Sequence, residues 1–306
     1  MPAYEHKLTY FSIVAVFVLL WSSAFAVGKI AMVLSPPHLF LGLRFGLAGI
    51  LMLGFAWING EDCALSVRDW VKLAILGVLN QAGYQGLAWV AMGEVSSALA
   101  AVIISMNPIF IAILAVPMLG EHMSLRRGLG LVLGLIGVVI VLNSRITVSG
   151  EDVGGILIMA LSLASLVLGS ILFKKFRLDV PISISVGGQF LSAGLLLLSI
   201  GLMTEDVNDI VFGADYMWVM AYIVFGVSIG GVGLWFYLLT HGSASDASAL
   251  HFLMPPFGLF FGWLMLDEQT ALGDFLGIIP IAIGIWLATH KSKTAPATTR
   301  EAKAEV

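Results

Sequence analysis

Apolar runs of about 20 residues, the length a helix needs to cross the hydrocarbon of a bilayer, recur along the whole chain. They begin near Phe11, His38, Trp70, Val95, Leu125, Asp152, Pro181, Tyr216, Ser245 and Leu272. Only short polar or helix-breaking segments separate them, such as Ser35-Pro36-Pro37, residues 59–69 and residues 204–215. The pattern predicts an all-α integral membrane protein of ten transmembrane helices, with no connection long enough to be a soluble domain. No small-residue cleavage site follows the first run, so that run is expected to stay in place as the first helix.

Charge then orients the spans. With the N-terminus on the cytoplasmic side, twelve of the fifteen Lys and Arg fall in cytoplasmic segments: Lys7, Arg68, Lys72, Arg126, Arg127, Lys174, Lys175, Arg177, Lys291, Lys293, Arg300 and Lys303. Of the external loops only the one at Arg145 is basic, and residues 204–215 carry acids alone. Basic flanks are retained inside, so both termini are expected to be cytoplasmic and the span count even.

The chain also repeats itself. A shift of 147 residues lays Pro108 on Pro255, Glu121 on Glu268, Gly130 on Gly277 and Gly137 on Gly284, dividing it into halves at 1–147 and 148–306. Five spans per half is an odd number, so the second copy enters the membrane from the opposite side. Inverted repeats of this kind build secondary transporters, with the substrate near the midplane between the copies.

Composition narrows the class further. The apolar fraction of 59% and charged fraction of 11% lie far from the roughly 45–50% and 25% of soluble domains, and the mean hydropathy is +1.00. The 34 glycines fit close helix packing in lipid. Cys63 is the single cysteine and cannot form an intramolecular disulfide. No Cys/His spacing suits a metal, so no metal or cofactor is expected, and no basic stripe suits nucleic acid.

Candidate chemistry lies inside the spans. On a helix advancing 100° per residue, Asn80, Gln81, Tyr84 and Gln85 fall within about 140° of arc, a face that hydrocarbon excludes unless it meets other helices or a watery cavity. Interhelical hydrogen bonds would satisfy it, but four large polar groups exceed one packing contact, and cavity lining is the expectation. The 147-residue shift carries Gln81 to Ser228, Tyr84 to Gly231 and Ala88 to Trp235, so the eighth span is expected to present small and aromatic groups opposite. One polar and one aromatic wall fit an amphipathic small molecule.

Other residues keep two readings each. His251, the one histidine inside a span, is either a neutral imidazole bonded to a neighbouring helix or a substrate or proton site. Pro108, Pro255 and Pro256 remove backbone donors near mid-membrane, freeing carbonyls for substrate or forming hinges. Lys29 lies near the outer end of its span, where snorkelling accounts for it beside a role in substrate access. Arg44 lies about 9 Å below the outer surface at 1.5 Å per residue, where it bonds carbonyls or draws an anion to the outer mouth. No Asp or Glu is deep in a span, since Glu94 and Asp246 stand at span starts where N-capping explains them. A carboxylate proton relay is therefore not expected. Nor is an enzyme: the spans hold no carboxylate pair and no nucleophile with a base, although a lipid-modifying enzyme or a non-transporting subunit would share this architecture.

Leu20-Trp21-Ser22-Ser23-Ala24-Phe25, Leu43-Arg44-Phe45, residues 96–101, Pro108, and Gly120-Glu121 followed by Gly130 and Gly137 resemble the EamA-type transporters of the drug/metabolite transporter superfamily. The resemblance spans nearly the whole chain and implies two inverted five-helix repeats around a central cavity. It further implies export of amino acids or other metabolites across a bacterial inner membrane, most like the YddG-like exporters of aromatic and other amino acids. Where the family's first-span motif often reads Trp-Gly, this chain has Trp21-Ser22. Taken with the polar third span and aromatic eighth, Trp21, Ser22, Asn80, Gln81, Tyr84, Ser228, Trp235 and His251 are expected around the substrate.

Overall fold

A computed structural model describes residues 3–61, 65–149, 151–241, 247–248, 250–270 and 272–289. Cys63, Ser245, Asp246 and the basic tail from residue 290 onward lie outside them. The described residues form ten helices and no strand: α1 Ala3–Leu34, α2 Pro37–Ile58, α3 residues 67–92, α4 Ser97–Leu119 and α5 Leu125–Ser149, then α6 Val153–Phe176, α7 Ile182–Thr204, α8 Ala214–His241, α9 residues 250–266 and α10 Leu272–Thr289. Seven of them are long and apolar enough to cross a bilayer. The other three are α3, which is interrupted, and the shorter apolar α9 and α10. The exterior is apolar along its length, with Ile50, Phe55, Leu129, Val132, Leu157 and Leu195 exposed, a surface suited to lipid rather than water.

Local sequence sets the helix ends. Pro37 occupies the first turn of α2, where a missing N–H costs nothing. Gly120 takes a left-handed φ of 69° to close α4. Ser66, Ser96 and Asp152 accept the N–H groups of Asp69, Leu99 and Gly155. The cap of α4 is thus Ser96 and not Glu94, because the chain turns twice before the helix begins and leaves Glu94 exposed.

Carboxylates from distant parts of the chain cap other helices. Glu205, just after α7, accepts the amides of His38 and Leu39 at the start of α2 (3.0 and 2.8 Å) and meets His38 Nδ1 at 2.6 Å. Glu61, just after α2, accepts the Ser183 hydroxyl at the start of α7. Each helix of this antiparallel pair is therefore closed by an acid trailing the other. Glu268, after α9, accepts Ser97 and Ala98 amides (2.8 and 3.1 Å), while Glu151 accepts that of Ser96 (2.9 Å). These acids exploit the partial positive charge of a helix N-terminus.

The internal symmetry is visible in the glycines. A Cβ on Gly137 would lie 2.5 Å from the carbonyl oxygen of Gly277, and one on Gly284 would lie 2.5 Å from that of Gly130. Since the 147-residue shift relates Gly130 to Gly277 and Gly137 to Gly284, the α5–α10 contact is self-reciprocal, as a two-fold axis requires. The α2–α7 pair closes similarly: Gly42, Gly49, Gly194 and Gly201 each place backbone of the partner helix within 2.9 Å of where a Cβ would stand. The helices form two inverted five-helix repeats. The α5–α10 pair packs with Val102 and Ala112 of α4 in a small apolar cluster around Val138, Val141 and Ile281, apart from the main core.

The helices nearest that centre are irregular at matching places. Residues Val78–Gly86 of α3 and Tyr222–Val232 of α8 are wound in wide π-type turns, a geometry rare elsewhere and frequent at functional sites. Alpha4 breaks between Ile104 and Asn107, and α9 tightens into a 3₁₀ turn over Leu250–Leu253 before Met254. Pro108 and Pro255–Pro256 consequently sit in the first turn of a new helical segment. They mark breaks between segments and not kinks in continuous helices, because a proline at a helix start displaces no hydrogen bond.

Candidate functional site

The polar residues on the wide turns of α3 meet different partners. At the smaller angular step of an i→i+5 turn Asn80, Gln81, Tyr84 and Gln85 still share one side of the helix, so where each side chain ends is set by the helices packed against it. Gly77 and Gly83 let α7 and α6 approach closely, and Ser165 and Ser162 of α6 donate to the carbonyls of Leu79 and Tyr84 (2.8 and 2.7 Å). Asn80 turns outward from the centre, donating to Gln189 Oε1 of α7 at 3.1 Å beside Gly169. It is an interhelical tie. Gln81 is buried and accepts from Gln85 Nε2 at 3.1 Å. Tyr84 and Gln85 face inward.

There a narrow cavity is lined by Trp21, Ala24 and Phe25 of α1, Arg44 of α2, Tyr84, Gln85, Ala88, Trp89 and Met92 of α3, and Val227 and Val232 of α8. Its open volume is about 30 Å³, room for about two water molecules. Toward one end Phe40 stacks on Trp89 (5.3 Å) and meets Tyr216 edge-on (5.7 Å). Toward the other, His251 is packed among Trp235 (4.6 Å), Trp21 (5.6 Å) and Phe17 (5.9 Å). Tyr84 stacks on Trp21 at 6.2 Å.

Arg44 is the charge of this cavity. It is 1% exposed, enclosed by side chains of α3 and α8. The α2 helix packs so closely on α7 through its glycines that Arg44 is carried into the core. Its Nε donates to Ser228 Oγ (2.8 Å) and its Nη1 to Gln85 Oε1 (2.7 Å), with the guanidinium 4.7 Å from the Phe45 ring centre. Nη2 has no partner, and among the described residues no carboxylate pairs with it. An intramembrane cation without a counter-charge is costly and favours an anionic group from outside the chain.

The remaining expected residues fall into three groups. Trp21, Tyr84, Arg44 and Ser228 converge, with Gln81 one hydrogen bond behind. Trp235, fully buried behind Trp21, does not line the cavity, and its indole N–H is unpartnered. His251 bonds the Ser248 carbonyl through Nδ1 at 3.2 Å and leaves Nε2 unpartnered. Ser22 is buried beside the cavity without a hydroxyl partner. Lys29 stands apart, in a cleft with Asp215 and Glu268. The aromatic wall comes from α1 and α3 through Trp21, Phe25 and Trp89, while α8 contributes the valines. Phe25, which the sequence offered only as part of the first-span motif, and Trp89 were not among the residues expected at the site, although each follows a lining residue by four positions, one helical turn. Gln189 was equally legible as a lone amide in an apolar span.

Ten apolar helices in inverted repeats, broken where they meet around a charged and aromatic cavity, define a multi-pass membrane transporter. The sequence profile of the EamA-like transporter family matches twice, over residues 8–143 and 153–289, and the chain belongs to that family within the drug/metabolite transporter superfamily. The chain is similar to a WAT1-related chloroplast protein of Arabidopsis thaliana, 25% identical across 87% of this chain and 66% of the plant protein. It is 27% identical to the uncharacterized transporter YvbV of Bacillus subtilis (strain 168) across 93% of each. With the uncharacterized inner membrane transporter YedA of Escherichia coli (strain K12) it shares 26% across 91% of this chain and 92% of that one. A crystal structure of a protein 19% identical in sequence has a TM-score of 0.72, covering 90% of this chain and 96% of the other. That likeness concerns the fold alone.

Proposed function

We propose that this transporter exports amino acids with apolar or aromatic side chains across a bacterial inner membrane, both termini cytoplasmic, by alternating access between halves 1–147 and 148–306. The observation that carries the reading is Arg44, buried in the cavity with an unpartnered Nη2. A substrate carboxylate supplies the missing counter-charge through charge-assisted hydrogen bonds. Trp21, Phe25 and Trp89 accept the side chain, and the Gln85 amide and Tyr84 hydroxyl meet the amino group. The cavity holds too little space for such a substrate in this state, so Phe40–Trp89 or the rings around His251 must part to admit it. The segment breaks at Pro108 and Pro255–Pro256 are where the α4 and α9 halves would move.

Proteoliposomes loaded with labelled leucine, phenylalanine, tryptophan, threonine and lysine test this, reading protein-dependent efflux. Efflux of the apolar and aromatic members supports it; no efflux of any member refutes the substrate class. A second reading has its own observation: the cavity lining holds a cation and no acid, which suits an apolar organic acid lacking an ammonium group, one of the other metabolites such a transporter would carry. Phenylpropionate moving faster than phenylalanine selects it.

A further inference from the structure

Two clefts on the outside of the bundle share Ile30 and so run into one another. In the first, of about 490 Å³, Lys29, Asp215 and Glu268 stand over Val33, Leu34 and Leu266. In the second, of about 390 Å³, the walls are Val27, Trp218, Val219, Tyr222, Phe261 and Met265. Together they make one groove along the seam where α1 of the first half meets α8 and α9 of the second. The helical period explains its straightness. Ser23, Val27, Ile30 and Leu34 form one stripe on α1, and Asp215, Trp218, Val219 and Tyr222 another on α8.

The groove is polar at one end only. Lys29 and Asp215 lie at the rim, and among the described residues neither forms an ion pair. Glu268 is already engaged, both oxygens accepting the amides of Ser97 and Ala98, so Asp215 is the carboxylate left to meet a cation. From Asp215 down to Tyr222 the apolar stretch runs about 10 Å at 1.5 Å per residue. At its bottom the Tyr222 and Ser23 hydroxyls bond each other at 2.7 Å, and Ser23 also donates to the Leu20 carbonyl. The floor therefore offers a hydrocarbon chain no polar group in need of a partner.

A cation and an anion at the rim of one apolar slot complement a zwitterionic headgroup above an acyl chain. We propose that this groove binds a phospholipid whose headgroup carries a primary ammonium, its phosphate on Lys29, its ammonium on Asp215 and one acyl chain along Val27, Trp218 and Phe261. A quaternary ammonium headgroup has no N–H to donate to Asp215, and an anionic glycerol headgroup has no cation for it. The site is independent of whatever the central cavity carries.

Native mass spectrometry of the purified protein, titrated with phosphatidylethanolamine, phosphatidylcholine and phosphatidylglycerol of identical acyl chains, tests the assignment. The expected order is ethanolamine tightest by about tenfold, since one charge-assisted hydrogen bond separates it from choline. Asp215→Asn should erase the preference for ethanolamine over choline, and Lys29→Met should weaken both alike. Equal binding of the three lipids, tighter binding of phosphatidylglycerol, or an ethanolamine preference that survives in Asp215→Asn overturns it.

Discussion

Arg44→Met isolates the electrostatic part of substrate recognition, because methionine keeps much of the apolar stem and removes every donor. Two protein hydrogen bonds disappear, from Nε to Ser228 and from Nη1 to Gln85, each worth about 1.5–3 kcal/mol when the donor is charged. Against this, a cation without a counter-charge no longer has to be buried, which returns about 2.5–3.5 kcal/mol on the membrane-insertion scale. The terms largely offset, so the variant should insert and fold with a modest change in melting temperature. Substrate binding has no such compensation. A carboxylate on the guanidinium contributes about 1.5–3 kcal/mol, and at 1.4 kcal/mol per decade its loss raises KM roughly 10- to 150-fold. The assay is efflux of labelled leucine and of its decarboxylated amine, isoamylamine, from proteoliposomes of wild type and variant. Leucine KM should rise by that factor while the amine's hardly moves. An unchanged leucine KM, or an equal change for acid and amine, refutes the assignment of Arg44 to the carboxylate.

Gly137→Ala and Gly277→Ala should each cost about 1–3 kcal/mol of stability, seen as lower melting temperatures in detergent, because the new methyl meets backbone; Gly54→Ala, with nothing within 4 Å, should be silent. Asn80→Ala should destabilise by about 1–3 kcal/mol by leaving Gln189 without its donor, with KM unaltered, which a thermal melt paired with flux kinetics distinguishes from a binding role. Tyr84→Ala removes the ring that stacks on Trp21 and should lower flux with normal insertion, whereas Gln81→Ala, acting only through Gln85, should lower it less; transport assays normalised to membrane content rank the two. Glu205→Ala uncaps α2 and should cost about 0.5–2 kcal/mol in thermal unfolding without changing which substrates move.

The span count of about ten and the inverted repeat were legible in the chain because hydrocarbon imposes a length and an apolarity that hardly depend on neighbours. Gly130, Gly137, Gly277 and Gly284 even announced a symmetric contact, since their spacing is the symmetry operation. The site was legible in part. Tyr84 stood on a face that lipid would not accept, Ser228 entered through the 147-residue shift and Trp21 through the first-span motif, and the three lie around Arg44 and its cavity. Asn80 belonged to the same face by periodicity and ended against Gln189, because periodicity gives a residue's direction around its own helix and not which neighbour lies there.

What the sequence determined by itself, then, is a membrane-spanning inverted repeat: burial in lipid is decided residue by residue, and a shift of 147 positions needs no coordinates. What only the tertiary structure decided is which polar groups share a cavity and which tie helices together. Arg44 illustrates the division. Its charge could be read inside the α2 span, but its solitude could not, since that depends on what α3 and α8 bring to it: a glutamine and a serine, with no carboxylate among the described residues around it. Pairing is a property of side chains far apart in sequence, and packing alone sets their distances.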